Sequence, residues 1–157
     1  MDSRRQKPKI VVTLGDPAGV GAEVTLRALG DSSLYSSADW ILIGDSTAVA
    51  AAENSTGLKL SSFSVDFRDC GILPPNVPVQ FGQLRAEYGK AAAAYVLEAT
   101  TMCLDGRADA MVTAPLNKEA VTLSGKSFSG HTEYIAELCN ATDSRSSFRN
   151  SCGSRLR

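Results

Sequence analysis

The sequence contains few of the residues that build metal centres and disulfide networks. Its 157 residues include a single histidine, and its four cysteines are widely scattered, without the paired spacing of a zinc site or a redox couple. One imidazole cannot by itself build a multi-histidine metal centre. We therefore expect no metal site within this chain, and reduced structural thiols in a cytoplasmic protein.

Net charge and long apolar runs are also lacking. The formal net charge of −1 gives no electrostatic case for a nucleic-acid partner or an anionic membrane. No stretch approaches the length of a transmembrane helix, and the apolar run after the polar N-terminus is too short for a signal-peptide core. Apolar residues still make up 43% of the chain, which is enough for one domain with a sizeable core.

Short β-branched runs alternate with helical stretches along most of the chain. Strands are predicted at 10–14, 40–44 and 110–114, with an extended stretch at 58–67. Helices are predicted at 22–29, 46–53, 89–104, 118–123 and 132–138. Ser46 is predicted to cap the helix that starts there. Strands separated by helices predict an α/β fold, in which a mostly parallel sheet carries helices on both faces.

The end of the chain differs in composition from the rest. Residues 140–157 contain five serines, four arginines and one acidic residue, whereas residues 1–139 carry 12 basic and 16 acidic side chains. Such a segment buries too little apolar surface to offset the entropy of ordering it, so a disordered tail is predicted. A contact with nucleic acid or anionic lipid is the alternative, although these arginines form no defined patch. The abrupt change also predicts a truncated or frame-altered reading frame, with 1–139 as the N-terminal portion of a longer protein.

A glycine-rich loop follows the first predicted strand. Residues 15–21 (Gly-Asp-Pro-Ala-Gly-Val-Gly) lie at the carboxyl end of that strand, where open α/β sheets place their ligands. Gly19 allows close backbone approach to an anion, and Asp16 offers a carboxylate that could orient or react with a ligand. The alternative is a tight turn in which Asp16 bonds its own backbone. The spacing matches neither the dinucleotide fingerprint nor the P-loop.

A second polar loop follows the last predicted strand and opens on the same edge of the sheet. Asn117 and Lys118 can present a donor and a cation to a phosphate or a carboxylate. The alternative for Lys118 is a solvated side chain paired with glutamate.

The third polar segment contains the only histidine. Residues 130–133 (Gly-His-Thr-Glu) could arrange an imidazole, a hydroxyl and helix N-terminal amides around one anionic group. The alternative is that Thr132 caps a helix, with Glu133 favourable in its first turn and His131 incidental. The sequence identifies these residues as candidate ligand contacts and identifies no catalytic residue.

Together, the three loops resemble those of the 4-hydroxythreonine-4-phosphate dehydrogenase (PdxA-type) family. The motifs at 13–23, 113–120 and 129–134 occur in the family's order, and the resemblance covers roughly residues 9–139. It implies a fold like that of isocitrate and isopropylmalate dehydrogenases, with two α/β domains and an active-site cleft completed across a homodimer.

The resemblance also implies an activity. Members of the family use NAD or NADP and a divalent metal cation to oxidise 4-phosphohydroxy-L-threonine, or a related phosphorylated hydroxy acid, with decarboxylation, in pyridoxal phosphate biosynthesis. By resemblance, His131 and Thr132 contact the phosphorylated substrate. The family's metal-binding histidines lie beyond the residues of this chain. Two alternatives therefore remain open for the chain itself: a catalytically inactive fragment, and a phosphate-binding module without turnover.

Overall fold

The computed structural model describes residues 7–140 and, further on, the backbone of two short strands. The strands are β1 (Lys9–Thr13), β2 (Asp39–Gly44), β3 (Asp66–Asp69), β4 (Ala110–Thr113), β5 (Phe148–Arg149) and β6 (Arg155–Leu156). The helices are α1 (Gly21–Leu29), α2 (Ser32–Tyr35), α3 (Ser46–Thr56), α4 (Ala86–Leu104), α5 (Lys118–Leu123) and α6 (His131–Leu138). A short 3-10 helix spans Leu60–Ser62.

Four strands form a parallel sheet in the order β3-β2-β1-β4. The central strand β1 pairs with β2 through Val12 and Leu42, and with β4 through Thr13 and Thr113. Parallel neighbours need helical crossovers, which α1, α3 and α4 provide. The predicted α/β class, with a parallel sheet and helices on both faces, is therefore confirmed, and the described part of the sheet ends at β4 on one side.

The longest helix, α4, covers one face of the sheet. Its alanine-rich sequence favours the helix intrinsically and leaves room for close packing. Ala91, Tyr95, Ala99 and Met102 are fully buried against β-strand side chains such as Val11. Helices α5 and α6 pack against α4 on this same side, where Val96, Val121 and Tyr134 share a cluster. This face is a closed core.

The opposite face is covered mainly over β1 and β2. Leu26 of α1 and Val49 of α3 pack with Leu14 in one cluster, and Leu29 packs with Leu42 in another. Trp40 donates its indole N–H to the carbonyl oxygen of Tyr35 (3.0 Å), which fixes α2 beside this face.

Several predicted boundaries need correction. Helix α4 begins three residues before 89, and the stretch 58–67 contains a 3-10 helix before β3 starts at Asp66. The prediction that Ser46 caps α3 is wrong, because Asp45 is the N-cap residue and Ser46 is the first helical residue. The predicted and observed N-caps of α3 differ because capping depends on the exact residue at which the helix begins. The apolar pattern of the sequence does not reveal that residue.

Within the predicted tail, the structure describes only β5 and β6, which pair antiparallel, and Asn140. The remaining residues of 141–157 lie outside the described ones, so disorder of 140–157 stays a prediction. Among the described helices, none is both long enough and apolar enough to span a bilayer.

Candidate functional site

The candidate site lies where two neighbouring strands send the chain to opposite faces of the sheet. After β1 the chain enters α1 on one face, and after β4 it enters α5, which packs against α4 on the other face. Such a switch point leaves a crevice at the carboxyl ends of the strands, the usual ligand position in open α/β sheets. The first two loops singled out in the sequence are the two that diverge here.

The glycine loop is built as a tight, self-bonded turn. The Oδ1 atom of Asp16 accepts the Ala18 N–H (2.8 Å), and the Asp16 carbonyl accepts the Gly19 N–H (2.9 Å). The carboxylate is nearly buried, and desolvation raises the pKa of Asp16, an effect that the Ala18 N–H partly opposes. The predicted alternative, a tight turn in which Asp16 bonds its own backbone, is thus observed. The second carboxylate oxygen of Asp16 forms no hydrogen bond within residues 7–140. A ligand role for Asp16 and Gly19 stays a prediction.

The glycine loop contacts the loop after β4 directly, backbone to backbone. Gly15 has φ +71°, and a Cβ placed there would lie 2.2 Å from the Pro115 carbonyl oxygen. That oxygen also accepts the Asp16 N–H (3.0 Å). Only glycine combines this positive φ with such close approach. The first two candidate loops therefore form one rigid unit at the base of the crevice.

Asn117 and Lys118 have different roles at the start of α5. Asn117 is the N-cap, and its Oδ1 accepts the N–H groups of Glu119 (2.9 Å) and Ala120 (3.2 Å). Its side-chain oxygen therefore stabilises the helix. Lys118 is exposed and, within the described residues, forms no ion pair, so the predicted alternative of a Lys–Glu pair is not observed.

A close helix–helix contact positions Lys118. A Cβ on Gly89 of α4 would lie 2.0 Å from the Ala120 carbonyl oxygen and 2.4 Å from the Val121 nitrogen. The backbones of α4 and α5 therefore touch at Gly89, and a larger residue would push α5 and its lysine away. The sequence indicates Gly89 only as an isolated glycine near the start of an alanine-rich helix, which can mark close packing.

The third loop places His131 beside Lys118. The Nζ atom of Lys118 would lie 3.7 Å from a Cβ built on Gly130, the residue before His131. Burial, followed by the positive charge of Lys118, lowers the pKa of His131, so the ring is held neutral at neutral pH. Phe128 packs against the ring edge-on, with the ring centroids 6.2 Å apart. Of the residues that the structure describes, none gives the buried Nε2 atom of His131 a hydrogen bond.

The N-terminus of α6 completes this third loop. Gly130 is the N-cap residue, no side chain caps the helix, and α6 starts at His131 rather than at Thr132. The alternative in which Thr132 caps the helix is therefore wrong. Thr132 lies in the first turn, where N–H groups have no intrahelical acceptor. The Oε2 atom of Glu133 would lie only 2.7 Å from a Cβ on Gly130, so the Glu133 carboxylate lies close to this helix end.

These groups form what we call the anion cluster: Lys118, His131 and Thr132 with the N-terminus of α6. It combines a cation, free helix amides and a neutral imidazole with an unused nitrogen. The positive end of the helix dipole and the N–H groups favour an oxyanion such as a phosphoryl group. Asp16 donates its backbone N–H to Pro115 in the loop after β4. Within residues 7–140, however, no hydrogen bond or ion pair joins Asp16 to Lys118 or His131.

The described residues do not suit a divalent metal. No group of three or more histidine, cysteine, aspartate or glutamate side chains comes together within them. The glycine loop also lacks the spacing of a dinucleotide fingerprint. We therefore assign no divalent metal site to the described residues.

A buried carboxylate at the same sheet edge was missed by sequence reasoning. Asp45, only 1% exposed, accepts the Tyr95 hydroxyl hydrogen (2.5 Å) and the Ile72 N–H (2.7 Å). Burial, and then the charge of Asp45, raises the pKa of the nearby Cys70 thiol to about 11. That thiol is unreactive at neutral pH, as expected for a structural cysteine. The only signal in the sequence was an aspartate at the end of a buried strand.

The chain is similar to known proteins of one family. Residues 24–152 match the family model described as pyridoxal phosphate biosynthetic protein PdxA. A D-threonate 4-phosphate dehydrogenase from Cupriavidus necator is 37% identical over 83% of this chain and 43% of its own length. A 4-hydroxythreonine-4-phosphate dehydrogenase from Geobacter metallireducens is 35% identical over 86% of this chain and 43% of its own.

Solved structures give the same result. The crystal structure of a 4-hydroxythreonine-4-phosphate dehydrogenase from Burkholderia phymatum superimposes with a TM-score of 0.80 at 36% identity, over 88% of this chain and 46% of that one. The chain thus spans about half the length of the relatives that it matches. Because the family model covers most of the chain and the fold agrees, the chain belongs to the PdxA family.

Proposed function

We propose that this chain forms the phosphate-binding part of a PdxA-type, NAD(P)-dependent dehydrogenase of a phosphorylated hydroxy acid. The observation that carries the proposal is the anion cluster, in which Lys118 and the α6 N-terminus lie beside a buried His131 nitrogen without a partner. The names of the relatives support the substrate class, because the two cited above act on phosphorylated four-carbon hydroxy acids. The substrate that we propose is 4-phosphohydroxy-L-threonine or a close relative such as a phosphorylated threonate.

Each group in the cluster has a distinct role in the proposal. The α6 N–H groups and the Thr132 hydroxyl donate to phosphoryl oxygens, and Lys118 neutralises part of the charge. His131, in the tautomer with the proton on Nε2, donates a further hydrogen bond from its unused nitrogen. Because the ring is neutral before binding, it adds selectivity by geometry more than by charge.

The proposal extends to the rest of the family's machinery. We propose that the oxidation with decarboxylation, the NAD or NADP cofactor, the divalent cation and the homodimer all belong to the full-length protein. In the full-length protein, a bound divalent cation would supply Lewis-acid stabilisation of negative charge on the substrate. The residues described here would hold the phosphoryl group and so orient the substrate.

A second candidate function is a phosphate-binding module without turnover. One observation favours it: the described residues form the anion cluster, but they contain no group of three metal-binding side chains. The two candidates share the binding step and differ only in whether substrate oxidation follows. Measuring both properties on one sample therefore separates them.

Calorimetric titration of the 157-residue chain tests the binding step. We expect 4-phospho-D-threonate to bind and unphosphorylated D-threonate to give no heat, because the cluster recognises the phosphoryl group. His131→Leu should weaken binding, since leucine has no donor at the position of Nε2. Equal binding of both hydroxy acids would contradict the proposal.

The same samples, supplied with NAD or NADP, Mg²⁺ and the part of the Burkholderia phymatum dehydrogenase that has no counterpart in this chain, give the second readout. Reduction of the nicotinamide, followed at its absorbance maximum, would support the dehydrogenase. Binding without reduction would support the module. Lys90→Met serves as the matched control, because Lys90 is an exposed lysine on α4 outside the cluster.

A further inference from the structure

Two cysteines lie at the ends of two helices that pack against each other. Cys103 is in the last turn of α4, and Cys139 is the C-cap residue of α6. Within residues 7–140 both are reduced thiols, and both are partly buried. Because 36 residues separate them in the sequence, their spacing gives no sign that they form a pair.

Helices α4 and α6 run in the same direction. Each begins beside the start of α5: a Cβ on Gly89 would touch the Ala120 carbonyl oxygen, and Lys118 lies beside Gly130. From there both helices extend away from the carboxyl edge of the sheet while packing against each other. Their C-terminal ends, with the two cysteines, therefore lie on the same side of the molecule.

The two cysteines are also at the same height along the helix pair. The Tyr134 hydroxyl lies 3.5 Å from the Ala93 carbonyl oxygen. Long side chains lean toward the N-terminus of their helix, so the Tyr134 backbone is level with a position about one turn beyond Ala93. Cys139 follows Tyr134 by a further rise of about 7.5 Å. That rise brings Cys139 level with the last turn of α4, where Cys103 lies.

Both cysteines lie on the helix faces that meet. Val96, Thr100 and Cys103 are spaced by four and three residues, so they share one face of α4. Val96 belongs to the apolar cluster against which Ile135 of α6 packs. Cys139 donates its N–H to the Ile135 carbonyl oxygen (2.9 Å) and so continues the Ile135 face by one turn. The two thiols thus face each other at the end of the helix pair.

Electrostatics agrees with this proximity. Burial raises the pKa of the Cys103 thiol, and the next largest cause is the negative charge of Cys139, ahead of that of Asp109. A thiol with a raised pKa forms less thiolate and attacks more slowly. Cys103 is therefore suited to be the second of the two thiols to react.

We infer that Cys103 and Cys139 form a redox-sensitive disulfide that ties the C-terminal ends of α4 and α6 together. The oxidant is a small disulfide such as glutathione disulfide. The Cys139 thiolate attacks one of its sulfurs and releases one glutathione, and Cys103 then attacks the Cys139 sulfur and releases the second. Two protein thiols are oxidised, one glutathione disulfide is reduced, and the two protons pass to the released glutathiones.

The bond would close a ring that contains the anion cluster. Residues 103–139 include β4, α5 and α6, and so Lys118, His131 and Thr132. A disulfide that closes a long loop restricts the unfolded chain and so stabilises the folded one. Oxidation should therefore keep the cluster assembled at urea concentrations that unfold the reduced chain. The inference depends on the packing of α4 and α6, so a failure of phosphate binding would leave it intact.

Oxidation of the 157-residue chain in glutathione buffers tests the bond. Remaining thiols are blocked, and the chain is cut with trypsin without reductant. Cys103, Cys139 and Cys152 fall on the separate peptides 91–107, 127–145 and 150–155. We expect mass spectrometry to show 91–107 joined to 127–145. The equilibrium constant for this link should be at least about tenfold larger in the native chain than in urea, because the fold holds the two thiols together.

Serine variants provide the controls. Cys103→Ser and Cys139→Ser should each abolish the link, and with it the rise of the urea midpoint on oxidation. Cys152→Ser removes another thiol and should keep both effects. Circular dichroism of the reduced variants shows whether they fold. The peptide map of the unaltered chain needs no variant, so it decides the question even if one of them unfolds.

Three results would overturn the inference. The first is accumulation of glutathione adducts without a link between the two peptides. The second is a link from Cys139 to Cys152 in place of Cys103. The third is a link between Cys103 and Cys139 that forms no more favourably in the native chain than in urea.

Discussion

Two polar groups lie at the carboxyl edge of the same sheet, and their hydrogen bonding differs. Asp45, after β2, is buried and bonded to the Tyr95 hydroxyl and the Ile72 N–H. In the anion cluster, after β4, the buried Nε2 atom of His131 has no hydrogen-bond partner in the described part of the chain. One group is complete within the chain, and the other leaves donors and acceptors unused.

This difference separates a structural group from one that we propose to bind an anion. Almost all buried polar atoms in folded proteins are hydrogen-bonded, so a satisfied one needs no ligand to explain it. An unsatisfied buried atom beside a cation and a free helix end is most simply explained by a ligand that completes it. Asp45 should therefore control stability, whereas Lys118 and His131 should control binding.

The largest effect is expected at Asp45. Asp45→Ala removes the acceptor of both the Tyr95 hydroxyl and the Ile72 N–H and leaves these buried donors unpaired. We expect the free energy of unfolding in urea to fall by about 3 kcal/mol. Sulfate affinity of the folded fraction should not change, because no cluster residue contacts Asp45.

Tyr95→Phe is the companion variant for this test. It removes only the hydroxyl donor and leaves the Ile72 N–H bonded to Asp45, so its loss of stability should be smaller, about 1 kcal/mol. Weaker sulfate binding by folded Asp45→Ala would show that the two groups are coupled and that their separation is wrong.

A smaller effect is expected at Lys118. Lys118→Met removes the cation beside Gly130 but keeps the length of the side chain. Sulfate affinity at low ionic strength should fall about tenfold, equivalent to about 1.4 kcal/mol, with little change in urea stability. Titration calorimetry measures the first quantity and urea unfolding the second. Lys90→Met, which removes an exposed charge elsewhere, should bind as the unaltered chain does; an equal loss there would mean that only net charge matters.

The smallest effect is the pH dependence of binding. Burial and the Lys118 charge lower the pKa of His131, and a bound anion would raise it again, so binding takes up protons. Sulfate affinity should therefore increase about threefold as the pH falls from about 8 to about 6. Sulfate is the suitable probe, because it does not itself titrate in this range. His131→Gln should bind with no pH dependence, and a persistent slope in that variant would exclude His131 as its source.

Stability in the absence of an anion should depend on pH in the opposite direction. The folded pKa of His131 lies below the unfolded value near 6.5, so the unfolded chain binds its proton first as the pH falls. The contribution of His131 to stability is present above the unfolded pKa and is lost between that value and the lowered folded one. Urea unfolding curves of the unaltered chain and of His131→Gln should differ in this window.

The fold was largely predictable because its strands and helices have strong local patterns. The apolar runs at 10–14, 40–44 and 110–114 each became a strand of the parallel sheet, and the alanine-rich stretch became α4. The strand β3 was harder, because its charges hide the pattern: Asp66, Arg68 and Asp69 suit an outer edge rather than a core. Its neighbour β2 determines its position, and sequence alone does not show that pairing.

The shared position of the first two candidate loops was predictable, but their internal bonding was not. Glycine and proline loops after β1 and β4 were expected at one sheet edge, since the carboxyl ends of parallel strands meet there. Asp16 and Asn117, by contrast, use their oxygens on nearby backbone N–H groups. The proximity of Lys118 to His131 depends on the packing of α5 and α6 against α4, which sequence spacing does not show.

The pairing of β1 with β4 also affects the order in which the sheet and the anion cluster form during synthesis. The backbone N–H of Lys9 donates to the Asp109 carboxylate, 100 residues further along the chain. The strands β2 and β3, in contrast, follow β1 within the first half of the chain. Contacts so distant in sequence form slowly, because a long loop must close before they add stability. A nascent chain therefore keeps one side of its central strand unpaired until β4 leaves the ribosome, and is open to aggregation in that interval. The proposed anion cluster assembles only after that closure, so the stoichiometry of sulfate binding, rather than its affinity, would measure how many chains have finished folding.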